Sequence, residues 1–125
     1  MRLLLDTHVF LWAVAGSALL KAPSRRLIEQ AEQVFVSAAT IWEIAIKARL
    51  GKIDADASEL AGAIAASGFV ELPVSAVHAA GVGRLALHHN DPFDRLLVAQ
   101  ALAEPLRLLT ADPVLVQYSD VVLLI

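Results

Sequence analysis

Five short apolar runs alternate along this chain with stretches of helical spacing, and that alternation restricts the folds open to it more than any other feature. The runs are Arg2–Leu5, Val34–Ser37, Phe69–Leu72, Leu106–Leu109 and Val121–Leu124, each flanked by polar or turn residues and short enough to be buried strands. Helical spacing marks Ser24–Gln33, Thr40–Leu50, Ala57–Ser67, Ser75–Leu85 and Pro92–Glu104, with Gly51, Gly68 and Pro105 where helices should stop. Strands alternating with helices build a largely parallel sheet covered on both faces. The expected fold class is α/β: a three-layer sandwich with a mostly parallel sheet of four to five strands flanked by helices.

The chain has 125 residues, enough for one core and too few for two, so 1–125 reads as a single domain. No linker, repeat or low-complexity tract divides it. Ten Lys and Arg against thirteen Asp and Glu leave a net charge of −3, so long-range charge does not advertise a nucleic-acid or membrane partner, and any nucleic-acid site must be local. Cysteine is absent, which excludes disulfides, zinc ribbons, iron–sulfur clusters and thiol nucleophiles. Although 58% of residues are hydrophobic, charged or turn residues break every run well before the ~18 residues of a membrane span. Asp6 interrupts the apolar N-terminus and argues against a secretory signal, which leads us to expect a cytoplasmic protein. So much apolar side chain on a small domain should leave some at the surface, in a homodimer seam or a partner's groove; Val9–Leu20 is one candidate stretch.

Four acids stand near strand–helix junctions. Asp6 follows the first run, Glu43 opens the helix after the second, Asp94 opens the helix before Leu106–Leu109, and Asp112 follows that run. Ligands of open α/β sheets bind outside the carboxyl ends of the strands, where such loops meet. Each acid also has a purely structural reading. Thr40-Ile-Trp-Glu43 fits a capping box, Asp91-Pro92-Phe93-Asp94 fits a cap followed by proline and a dipole-favoured acid, and Asp112-Pro113 and Asp6 fit two more caps. Capping alone gives no reason for four acids to gather at one edge of a sheet.

If they do gather, their repulsion must be relieved by protons or by a cation. Oxygen donors without Cys, and with His outside the set, point to Mg²⁺ or Mn²⁺ rather than zinc. Such an ion activates water and neutralises charge developing on phosphate, which is the chemistry of phosphodiester hydrolysis.

The chain resembles the PIN-domain endoribonucleases and, among them, the VapC-type toxins of bacterial toxin–antitoxin pairs. The resemblance runs through Leu-Leu-Leu-Asp6-Thr-His, Ser37-Ala-Ala-Thr-Ile-Trp-Glu43-Ile-Ala-Ile-Lys47 and Gly51-Lys52-Ile53. It is densest in His88-His89-Asn90-Asp91-Pro92-Phe93-Asp94-Arg95 and the following Leu-Leu-Val-Ala-Gln-Ala101, and closes with Leu108-Leu109-Thr110-Ala-Asp112. It implies a PIN-like fold, and that Asp6, Glu43, Asp94 and Asp112 are a catalytic cluster holding Mg²⁺ or Mn²⁺, with Thr7 and Thr110 as neighbouring hydroxyls. It further implies metal-dependent cleavage of an RNA substrate, restrained by a VapB-type antitoxin. Asn90 departs from the basic residue common in relatives, and Ala86 from a common proline; the first would weaken a phosphate contact.

Around this cluster, Lys47 lies one helical turn after Glu43, either as a surface ion pair or as a lysine that tunes Glu43 and meets phosphate. Arg95 points about 100° away from Asp94 round its helix and is expected to face RNA, a partner chain or solvent. Asp91 is expected to cap, with support of the cluster as a second role. Lys47, Arg49 and Lys52 form a candidate phosphate track. Trp12 and Trp42 read as core or interface rather than as base platforms, and His8, His88 and His89 as positioning or hydrogen-bonding groups. Two other functions compete. A phosphatase needs an acid two residues after Asp6, where His8 stands, and a phosphotransfer receiver needs an acid at the end of a middle strand, where Val34–Ser37 ends in Ser. A non-enzymatic interaction module would use all four acids as caps and keep them apart.

Overall fold

Leu3, Leu4 and Leu5 have no exposed surface at all, because their strand lies in the middle of a sheet covered on both sides. In the computed structural model, which describes residues 1–125, β1 (Arg2–Leu5) is followed by α1 (Thr7–Ala15), α2 (Ala22–Gln30), β2 (Gln33–Ser37), α3 (Ala38–Arg49), α4 (Ala57–Ala66) and β3 (Val70–Leu72). Then come α5 (Ala76–Gly81), α6 (Pro92–Ala103), β4 (Arg107–Thr110) and β5 (Val122–Leu124), with 3₁₀ turns at Val82–Arg84 and Pro113–Tyr118. The strands pair in parallel throughout, in the order β3-β2-β1-β4-β5.

The period of two along β1 sorts its leucines between two cores. Leu3 and Leu5 join Val9 and Phe10 of α1, Ile44 of α3 and Ile64 of α4, whereas Leu4 joins Leu97, Val98 and Ala101 of α6 with Leu115. Helices thus cover both faces, giving the three layers expected. The chain runs from β1 outward to β3, then returns to the other side of β1 for β4 and β5. Strand order reverses between β1 and β4, so the carboxyl ends of these two strands flank the crevice where such sheets bind ligands.

The strand positions follow the apolar runs to within a residue or two, and the helices depart from their pattern in three places. Residues 7–15 form a helix of their own, which the spacing conceals because Val9, Phe10, Leu11, Trp12, Ala13 and Val14 leave no polar face. Asp6 caps it and Gly16, at φ 64°, ends it. The Ser75–Leu85 pattern splits after Gly81 into a 3₁₀ turn, where Gly81 and Gly83 weaken α-helical continuation. Asp112 caps the second 3₁₀ turn, as Asp112-Pro113 suggests, although no helical spacing follows it. No helix is long and apolar enough to cross a membrane.

Candidate active site

Parallel pairing of Leu5 with Leu109 brings the residues just beyond both strands face to face. The Asp6 amide donates to the Leu109 carbonyl at 3.1 Å, and the Thr110 hydroxyl donates to Asp6 Oδ2 at 2.5 Å. Asp6 Oδ1 caps α1 by accepting the Val9 amide at 2.9 Å. Both carboxylate oxygens are therefore fixed, one by the helix and one by the neighbouring strand. The Thr110 hydroxyl in turn accepts the Asp112 amide at 3.0 Å, holding the turn that presents Asp112.

Glu43 arrives from β2 by a different route from the expected one. Ser37, the last residue of the strand, caps α3 by accepting the Ala39 amide, so the helix begins at Ala38, and Thr40 is buried inside it rather than capping it. No Thr40–Glu43 capping box forms. Glu43 stands in the second turn, where it is buried and faces the first turn of α1. Thr7 donates to Glu43 Oε1 at 2.6 Å and Lys47 Nζ to Oε2 at 2.5 Å. The Glu43 side chain is 4% exposed and that of Lys47 27%, so this is a half-buried pair beside the cavity rather than a surface one.

Asp91 caps α6 as its sequence suggests, with Oδ1 accepting the amides of Phe93 and Asp94 and Pro92 in the first turn. That turn carries Asp94 to the same cavity, which has a volume of about 300 Å³. Asp6, Glu43, Asp91, Asp94 and Asp112 all line it, along with Lys47, His8 and Trp12. Three of these acids cap helical turns and also line the cavity, so the capping and clustering readings are not exclusive.

One expectation needs correction here. Arg95 does not line the cavity: its guanidinium donates to the carbonyls of Val82, Ala86 and His89 and to the Tyr118 hydroxyl, fastening the segment before α6. His89 takes the hydrogen-bonding role expected of it. His89 Nδ1 accepts the Asp91 amide at 3.0 Å, which leaves the ring proton on Nε2, 3.0 Å from Asp112 and 3.5 Å from Asp94. Tyr118, whose hydroxyl also receives the amides of His88 and His89, carries no signal in the sequence.

Packing these acids together strains their charge. Burial, then the neighbouring Asp91, Glu43 and Asp6, push the Asp94 carboxyl up to about 7, against the opposing pull of His89. Burial likewise raises Asp6 above the usual carboxylate range, although the Thr110 and Val9 hydrogen bonds oppose it. Lys47 is raised chiefly by its hydrogen bond to Glu43, with Asp91 and Asp94 adding to the effect, and so stays an ammonium.

A family model described as the PIN domain matches residues 3–121. The chain belongs to the PIN domain family. Two solved structures share the fold. VapBC2 from Rickettsia felis, bound to a DNA fragment from its promoter, matches with a TM-score of 0.72 and 16% identity over 100% of this chain and 98% of that one. A toxin–antitoxin complex from Klebsiella pneumoniae matches with a TM-score of 0.68 and 19% identity over 96% and 94%. No curated protein matches in sequence. PIN domains are generally nucleases and typically use divalent metal ions.

The cavity of this PIN domain suits such an ion. Carboxylate oxygens of Asp94 and Asp112 lie within 4.8 Å of each other, and Asp6, Glu43 and Asp91 add further carboxylates to the lining, donors of the kind a hard divalent cation takes. The raised Asp6 and Asp94 mark an excess of negative charge that a cation would relieve. With its Nδ1 engaged and its Nε2 carrying the proton, His89 serves as a donor to Asp112 rather than as a ligand. Neither tryptophan belongs to the core proper: Trp12 is half-buried against it and lines the cavity, and Trp42 is 59% exposed, meeting Phe93 edge-on at 5.0 Å.

Proposed function

We propose that this PIN domain is a Mg²⁺- or Mn²⁺-dependent endoribonuclease and the toxin of a toxin–antitoxin pair. The observation that carries the reading is the lining of one cavity by carboxylates from four separate parts of the chain, at the point where strand order reverses. A structural module that used these acids only as caps would have no reason to place them together.

Asp6, Glu43, Asp94 and Asp112 are the residues that would hold the ion. A bound divalent ion would supply Lewis acidity, making a water nucleophilic and offsetting charge that builds on the scissile phosphate. The chain's own groups set the arrangement. Thr110 orients Asp6, Thr7 and Lys47 hold Glu43, and His89 steers Asp112. The Lys47 ammonium, on the cavity wall, also offers a positive charge to a phosphate.

The toxin reading draws on the likeness to two toxin–antitoxin complexes. An apolar groove of about 500 Å³ between α1 and the start of α4 supports it, because Leu11, Val14, Ile53, Leu60 and Ala63 line it and leave apolar surface for an antitoxin to cover. It accounts for part of the excess of apolar residues.

Purified protein incubated with single-stranded RNA should cleave it internally with Mn²⁺ and not with chelator. Asp94→Asn should lose the cleavage by more than a hundredfold, keep its circular dichroism spectrum, and relieve the growth arrest expected on expression in bacteria. Equal cleavage with chelator, or by the variant, would remove the metal mechanism.

A further inference from the structure

Five carboxylates face the cavity, and Lys47, the one lysine among its lining residues, is already bound to Glu43. Positive charge for phosphate contacts is therefore scarce in the cavity itself, and aromatic rings there offer a further way to seat nucleotides next to the cut.

Two ring systems line the same cavity: His8 and Trp12. They stand four residues apart on α1, so their side chains rise one above the other on one face of the helix. The ring centroids lie 6.2 Å apart with planes tilted by 50°, which leaves the rings splayed rather than closed on each other. His8 is exposed, whereas Trp12 packs in part against the core beneath α1. Asp6 caps this helix, so carboxylate and rings belong to one rigid element, with Trp12 about 9 Å along the axis from Asp6. Trp42 does not compete for the role, since it does not line the cavity.

We propose that His8 and Trp12 form a stacking platform for an unpaired base adjoining the scissile phosphate, a reading that rests on the ribonuclease assignment. Aromatic faces accept any base and need no net positive charge, which suits a site walled by acids. A base held in a duplex has both faces covered by its neighbours and cannot use the platform.

Two measurements test this. In the first, Trp42→Phe combined with Asp94→Asn leaves Trp12 as the single tryptophan of a cleavage-deficient protein, titrated in Mg²⁺. A short single-stranded oligoribonucleotide should quench its fluorescence, while the annealed duplex and the same backbone carrying abasic residues should not. In the second, Trp12→Leu keeps an apolar side chain but loses the ring. It should raise KM for single-stranded RNA roughly tenfold with kcat little changed, and Trp12→Phe should recover most of the loss. No quenching, or equal quenching by the abasic backbone, would overturn the platform, as would an unaltered KM in Trp12→Leu. Should the wild-type protein cleave no RNA in Mn²⁺, the ribonuclease assignment falls on that result and the titration alone decides the platform.

Discussion

His89 shows how one side chain can matter to a cluster without holding anything in it. Its ring accepts the Asp91 amide at Nδ1, which fixes the tautomer, and donates from Nε2 to Asp112 Oδ2 at 3.0 Å. Asp112 Oδ1 meanwhile caps the turn at Val114, so the carboxylate is held from both sides. Groups that orient metal ligands in this manner commonly change metal affinity by ten- to a hundredfold when removed. We expect His89→Ala to weaken Mn²⁺ binding at least tenfold by calorimetry with little change in fold, and His89→Gln, which restores a donor near the Nε2 position, to recover part of it. Unchanged Mn²⁺ affinity in His89→Ala would assign the ring to loop packing alone.

The start of α6 joins capping and charge in a single residue. Asp91 accepts two amides of the first turn, and its charge is also the largest single influence, after burial, in raising Asp94. Asp91→Ala should therefore cost about 1 kcal/mol in urea unfolding, while Asp91→Asn, which keeps the acceptor and drops the charge, should retain most of the stability and lower the Asp94 pKa in an NMR titration. Caps of this sort were legible in the sequence because they use neighbours two or three positions away. The strands were legible because β-sheet burial on both faces demands unbroken apolar runs. Helix α1 was not, since a helix buried against the sheet and flanked by partners has no polar stripe to betray its period. The supposed Thr40–Glu43 box failed for a related reason: Ser37 caps one turn earlier, at the very end of the strand, and displaces it. Arg95, Tyr118 and His89 meet partners up to 30 positions away, and such contacts leave no local pattern. The four acids were found individually, but their meeting depended on β1 and β4 becoming neighbours.

Across the domain as a whole, the crevice concentrates charge that the rest of the fold must support. Asp94 has an ordinary value of 3.8 and is pushed to about 7 when folded, so between these limits the folded chain keeps a proton that the unfolded chain releases. Stability from this group is complete below about pH 4 and is lost as pH rises through 7, an effect of about 2 kcal/mol once partial solvent access is allowed for. Asp6, also raised, acts in the same direction. Metal-free protein should thus unfold at lower urea concentration at pH 8 than at pH 5, and Asp94→Asn should flatten that difference. A divalent ion should reverse the trend, because it binds the ionised site of the folded state only; at a hundred times its dissociation constant it adds about 2.7 kcal/mol. The wild-type protein should then gain most from Mn²⁺ above pH 7 and Asp94→Asn little at any pH. Parallel stability curves for the two proteins without metal, or equal Mn²⁺ stabilisation of both, would show that the acids do not share one electrostatic site.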